Sequence, residues 1–179
     1  MKTIQDLDLD ALEPAQLLKQ FSYQENLTSQ LDRYKGYIDQ NKINEIVLWK
    51  INRYAEIDST TLELLNKIDA NVEVMDIDLT EQILIRLLSK GVRGVRLPMA
   101  STFLRFRNSN IYQIIDRRAY RVLYGKAYIE RPDIQAMIQL YFKYLDDISQ
   151  LCNRINLPYK DIDRFLYVLD KQLNKSEPI

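Results

Sequence analysis

The chain contains no histidine and a single cysteine, Cys152, in 179 residues. Without histidine there is no Ser-His-Asp triad, no Cys-His pair and no imidazole metal centre. With one thiol there is no intramolecular disulfide and no cysteine-rich zinc or iron–sulfur site. Glycine (4) and proline (5) are scarce while apolar residues reach 46%, a balance that disfavours turn-rich β architecture and predicts an all-α protein. No stretch approaches the roughly 20 apolar residues a membrane-spanning helix requires. The opening MKTIQDLDLD also lacks the basic region and apolar run of a secretory leader. We therefore expect a cytoplasmic protein with no membrane partner, no metal and no cofactor. Its chemistry, if any, must come from carboxylate, lysine, tyrosine or hydroxyl groups.

What the chain has is helical periodicity. Its length suits one compact helical domain over 1–179, or two small lobes sharing a core. A short helix is predicted over Asp10–Gln20, then helices over Leu27–Gln40 and Asn44–Ala55, broken near Asn41. Ser59 or Thr60 caps the next, in which Leu62, Leu64, Leu65 and Ile68 fall at helical spacing. After the acidic connection 71–79, Thr80 caps a helix that ends at Gly91 and buries Ile83, Ile85, Leu87 and Leu88. Beyond Pro132 a long helix carries Ile134, Met137, Ile138, Tyr141, Leu145, Ile148 and Leu151 at steps of three and four, one apolar stripe. From Tyr159 a last helix is expected to bury Ile162, Phe165, Leu166 and Leu169.

Charge is distributed less evenly than its total suggests. The chain has 25 basic and 25 acidic residues, but Lys90 to Lys126 holds nine Lys or Arg and one acid, Asp116. Removing that segment leaves sixteen bases against twenty-four acids, a net charge near minus eight elsewhere. A basic stripe on an otherwise acidic protein attracts a polyanion while the remainder repels it, which orients the approach. The cluster is almost all arginine, the residue suited to bidentate phosphate contacts.

Within this segment, two glycines three apart, Gly91 and Gly94, are flanked by Val92 and Val95 and bracketed by helices. They describe a tight hairpin whose backbone approaches something closely. The N–H groups exposed at a helix start there suit a phosphate. The stretch VRGVRLPMASTFLRFRNSNIYQIIDRRAYRVL resembles the helix-hairpin-helix element and following aspartate of the helix-hairpin-helix DNA glycosylase superfamily, the endonuclease III-like proteins. Val92, Gly94, Val95, Ala100 and Leu104 fall on that pattern without a gap, and Asp116 falls at its catalytic aspartate. The match covers about 35 residues, a fifth of the chain. Two positions depart from it: Arg96 replaces the second hairpin glycine, and Pro98 stands where bifunctional members carry the lysine that attacks the sugar.

The resemblance implies an all-α, glycosylase-like helical bundle that binds DNA, with the hairpin and aspartate in segment 80–126. It further implies monofunctional base excision, in which Asp116 stabilises positive charge on the sugar or orients the attacking water, with no Schiff-base lyase step. DNA contact would fall to Arg93, Gly94, Val95, Arg96, Arg105, Arg107, Arg117 and Arg118. Trp49, Lys50 and Arg53 would be candidates for a base pocket, an aromatic with two cations on one helix. The residues themselves leave other readings open. An Asp before RRAY is also a common helix cap, a Trp in an apolar stripe is also core, and Arg121 reads as a structural residue. A non-catalytic relative that keeps DNA binding, or a helical protein-interaction module whose arginines meet acids, fits the same composition.

Overall fold

A computed structural model describes residues 18–19, 23–52, 55–89, 92, 94–130 and 133–177. The regular structure is helical throughout, with no strand among the described residues. No described helix is long and apolar enough to cross a membrane. The short helix expected over Asp10–Gln20 lies outside these residues apart from Leu18 and Lys19. The chain divides into two compact units, Met1–Tyr54 and Ala55–Ile179.

The first unit is a helical pair, α1 (Glu25–Arg33) and α2 (Gln40–Lys50). The expected helix to Gln40 stops at Arg33. Beyond it Tyr34 folds back to donate its hydroxyl to the Tyr37 carbonyl at 2.6 Å. A Cβ on the intervening Gly36 would lie 2.8 Å from that hydroxyl, so any other residue there would push the Tyr34 ring aside. Asp39 then accepts from the Lys42 N–H at 2.8 Å and starts α2 four residues earlier than its apolar spacing suggests. Trp49 joins the two helices, its indole N–H donating to Thr28 Oγ1 at 2.8 Å. The Tyr23 ring meets the indole edge-to-face at 5.3 Å.

The second unit contains α3 (Ser59–Lys67), α4 (Ile77–Leu87), α5 (Leu97–Arg107), α6 (Arg117–Tyr124), α7 (Ile134–Ile155), a 3-10 turn (Tyr159–Asp161) and α8 (Ile162–Leu173). Aspartates start four of these helices: Asp58, Asp76, Asp116 and Asp133 each accept the N–H three residues on. The expected caps Ser59, Thr60 and Thr80 lie inside their helices instead. In each case an aspartate just upstream offers both an acceptor and a charge that complements the helix dipole. Thr80 is buried, its hydroxyl bonded to the Asp76 carbonyl and, at 2.6 Å, to the Tyr112 hydroxyl.

The core of this unit is formed by Ile83, Leu84 and Leu87 of α4, Leu97, Ala100 and Leu104 of α5, Tyr141 and Ile148 of α7, and Ile162 of α8, all at 0% exposure. Each large side chain among them contributes about 1.5–3 kcal/mol by leaving water. Ala100 is the small residue where α5 enters this core. On α8 the expected stripe is corrected: Phe165 is 37% exposed, while Ile162, Asp163, Leu166 and Asp170 are buried. The inner face of α8 includes two aspartates, which an apolar pattern does not flag.

Candidate functional site

In the connection between α4 and α5, Gly94 has φ 79°, in the left-handed region that favours glycine. Val95 is buried and Arg96 is exposed as the N-cap residue of α5. Pro98 sits in the first turn of α5, where a missing N–H costs no hydrogen bond. Arg93 and its neighbours Lys90 and Gly91 lie outside the described residues. A carboxylate already stands at this helix start: the Leu97 N–H donates to Glu130 Oε1 at 3.5 Å.

From α5 the chain runs to Asp116 through a non-helical linker, residues 108–115, whose backbone groups need partners from elsewhere. Tyrosines supply them. The hydroxyls of Tyr159, Tyr141 and Tyr144 donate to the carbonyls of Ile111, Gln113 and Ile114 at 3.2, 3.0 and 2.8 Å. Asn108 holds the start of the linker by donating to the carbonyls of Asp69 and Val72. At its end, Ser101 Oγ accepts the Ile115 N–H at 3.2 Å and donates to the Pro98 carbonyl, tying the first turns of α5 to the residue before Asp116. These hydroxyls lie inside the protein, not at its rim: Tyr112, Tyr141 and Tyr144 are at most 1% exposed. Burial drives the acidity of Tyr144 well below that of a free tyrosine, and the nearby charge of Asp116 acts in the same direction. Tyr144→Phe leaves the half-buried Ile114 carbonyl without its donor and is expected to cost about 1 kcal/mol, read as a lower midpoint in urea.

Asp116 emerges from this fixed linker at the start of α6. Its Oδ1 accepts the Ala119 N–H at 2.7 Å, and no donor among the described residues reaches Oδ2. The side chain is half-buried and lines a cavity of 310 Å³ with Ile114 and Ala119 on one side. The opposite wall comes from α8, as Asp163, Arg164, Tyr167 and Val168. These four residues were not anticipated as site residues; their spacing marks one helix face, but nothing local in the sequence places that face against Asp116. The Tyr167 ring lies 5.4 Å from both the Arg118 guanidinium carbon and Lys171 Nζ, an aromatic flanked by cations.

The arginines divide into two groups. Arg105 is 8% exposed, its guanidinium donating to Asp163 at 3.1 Å and to the Lys160 carbonyl at 3.0 Å. Arg107 donates to the Leu65 and Asn66 carbonyls at 3.2 Å, closing the C-terminal end of α3. Arg118 and Arg121 both donate to Asp170, a carboxylate with no exposure. The structural role expected of Arg121 is present, and Arg105, Arg107 and Arg118 share it. Arg96 and Arg117 are exposed and have no side-chain partner among the described residues.

Trp49 and Lys50 belong to the first unit. Trp49 is half-buried with its indole N–H bonded to Thr28, Lys50 is exposed, and Arg53 lies outside the described residues. Among the described residues no three Cys, Asp or Glu side chains converge on a position that could hold a metal ion. Comparison with known proteins returns no match: no family model, no curated protein and no solved structure shows significant similarity to the chain.

Proposed function

We propose that this protein binds duplex DNA through the hairpin at the start of α5 and removes a base by hydrolysis, with Asp116 as the catalytic carboxylate. The observation that carries the reading is the division of labour on Asp116: Oδ1 is fixed by the Ala119 N–H, while Oδ2, without a protein donor among the described residues, belongs to a residue lining a 310 Å³ cavity. With Oδ1 fixed in this way the carboxylate keeps one orientation and needs no reorganisation during reaction. The extruded base departs with the electrons of the glycosidic bond while positive charge grows on the sugar. Asp116 stabilises that charge or takes the proton of the water that adds to it. Pro98 supplies no amine, so no Schiff base forms.

Arg96 and Arg117 are the cations suited to phosphate contact. Changing both to Ala is expected to weaken duplex binding about tenfold and to lower the slope of log affinity against log salt by about 2. Arg105 and Arg107 are poor choices for this experiment, because their loss would disturb the fold itself.

A second reading rests on the same hydrogen bond: the Ala119 contact is that of an ordinary helix cap, which suits a DNA-binding relative that performs no chemistry. Incubation with a panel of damaged and modified duplexes separates the two. Free base released by the wild type and not by Asp116→Asn supports the enzyme. Salt-sensitive binding with no base released from any duplex assigns the second reading, and failure to bind any duplex at low salt removes both.

A further inference from the structure

A larger cavity, of 580 Å³, opens along α7 on residues distinct from those around Asp116. Its walls are apolar where Phe142 and Leu145 of α7 contribute, and the thiol of Cys152, 5% exposed, lies among its lining. Its ionisable rim has one sign only. Glu73, in the segment before α4, and Asp146 of α7 line it, and no Lys or Arg does. Neither carboxylate has a cationic partner among the described residues; Asp146 accepts only the neutral Gln150 amide at 2.8 Å. The two carboxylates buried in this unit, Asp163 and Asp170, are both paired with arginine. The cavity thus combines apolar walls with two exposed carboxylates that no cation among the described residues meets, on a 22-residue helix and a linker pinned by tyrosine hydroxyls. Its volume is that of small-molecule sites, about 300–1,000 Å³.

We propose that this cavity is a binding site for an organic ammonium ion with an apolar body, the body packed on Phe142 and Leu145 and the cation held between Glu73 and Asp146. An anion of the same shape is repelled by both carboxylates, and a neutral analogue gains only the apolar contact. The site is independent of the reading of Asp116.

Calorimetric titration with 4-phenylbutylammonium, 4-phenylbutanol and 4-phenylbutanoate tests the proposal. The amine is expected to bind with Kd below about 1 mM and the carboxylate about tenfold or more weakly, with the alcohol between them. The double variant Glu73→Gln/Asp146→Asn should reduce amine binding to the level of the alcohol. Ser149 is exposed and lines the cavity, so Ser149→Trp should fill the space and abolish binding with an unchanged thermal midpoint. Because Cys152 is the chain's sole cysteine, the amine should also slow its reaction with a thiol reagent in the wild type but not in Ser149→Trp. Equal binding of amine and carboxylate, no binding of the amine up to about 10 mM, or binding that survives in folded Ser149→Trp would each overturn the proposal.

Discussion

Asp170→Asn is expected to destabilise the protein by about 4 kcal/mol, the largest stability loss of any single conservative substitution on the inner face of α8. Asp170 has no exposure, and both of its oxygens are used: Arg121 meets them bidentately at 2.9 Å, Arg118 takes Oδ2 at 2.9 Å, and Asn174 donates to Oδ1 at 2.8 Å. An asparagine retains the shape and loses the charge. It also turns one acceptor into a donor facing a guanidinium, so Arg118 and Arg121, both half-buried, lose the carboxylate charge they share. A thermal midpoint lower by roughly 10 °C is the expected reading. Because α6 packs extensively against α8 and carries both arginines, the loss should also loosen the helix that begins at Asp116.

The same pair sets an acid limit. Hydrogen bonds from Arg121, opposed by burial and reinforced by Asn174 and Arg118, hold the Asp170 carboxyl down at about 2. A depressed carboxyl pKa means stability that is fully present above the ordinary carboxylate range near 4 and is lost as pH falls through about 2. In Asp170→Asn this acid-dependent component should be missing, so wild type and variant converge in stability as pH is lowered from about 4 to 2.

This ion-pair seam also shows what was legible in the sequence. The helical class, the long helix to Ile155 and the break at Gly94 were all visible, because periodicity and a glycine in the left-handed region are local signals. The charge asymmetry of 90–126 was equally visible, but its principal explanation is not local. Four of its arginines are engaged inside the fold, and the acids that meet Arg105, Arg118 and Arg121 lie 49 to 58 residues later, seven apart on α8. A count of charges by segment cannot separate an arginine facing phosphate from one facing a buried aspartate; the partner's position decides, and that is set by packing. The far wall of the Asp116 cavity was hidden for the same reason. Arg164 and Tyr167 are exposed residues of α8, and only the packing of α6 on α8 brings them to one cavity with Asp116.

Asp116→Asn and Asp116→Ala, taken together, separate chemistry from capping. Asparagine is as good an N-cap as aspartate, so Asp116→Asn should keep the Ala119 hydrogen bond and cost no more than about 0.5 kcal/mol through lost interaction with the helix dipole. Alanine removes the cap and should cost about 1 kcal/mol. Activity is expected to follow the opposite logic. If Oδ2 stabilises the charged sugar, both variants lose the negative charge and both should release base about 100- to 1,000-fold more slowly than wild type, although only one of them is measurably less stable. Affinity for undamaged duplex should be unchanged or slightly stronger in both, because a carboxylate beside the DNA has been removed. A cap with no chemical role predicts a different pattern: Asp116→Asn behaves as wild type in every assay, and any defect in Asp116→Ala scales with its stability. The decisive comparison is therefore the asparagine variant at a temperature where both proteins are fully folded, with base release measured in single turnover so that product dissociation does not mask the chemical step.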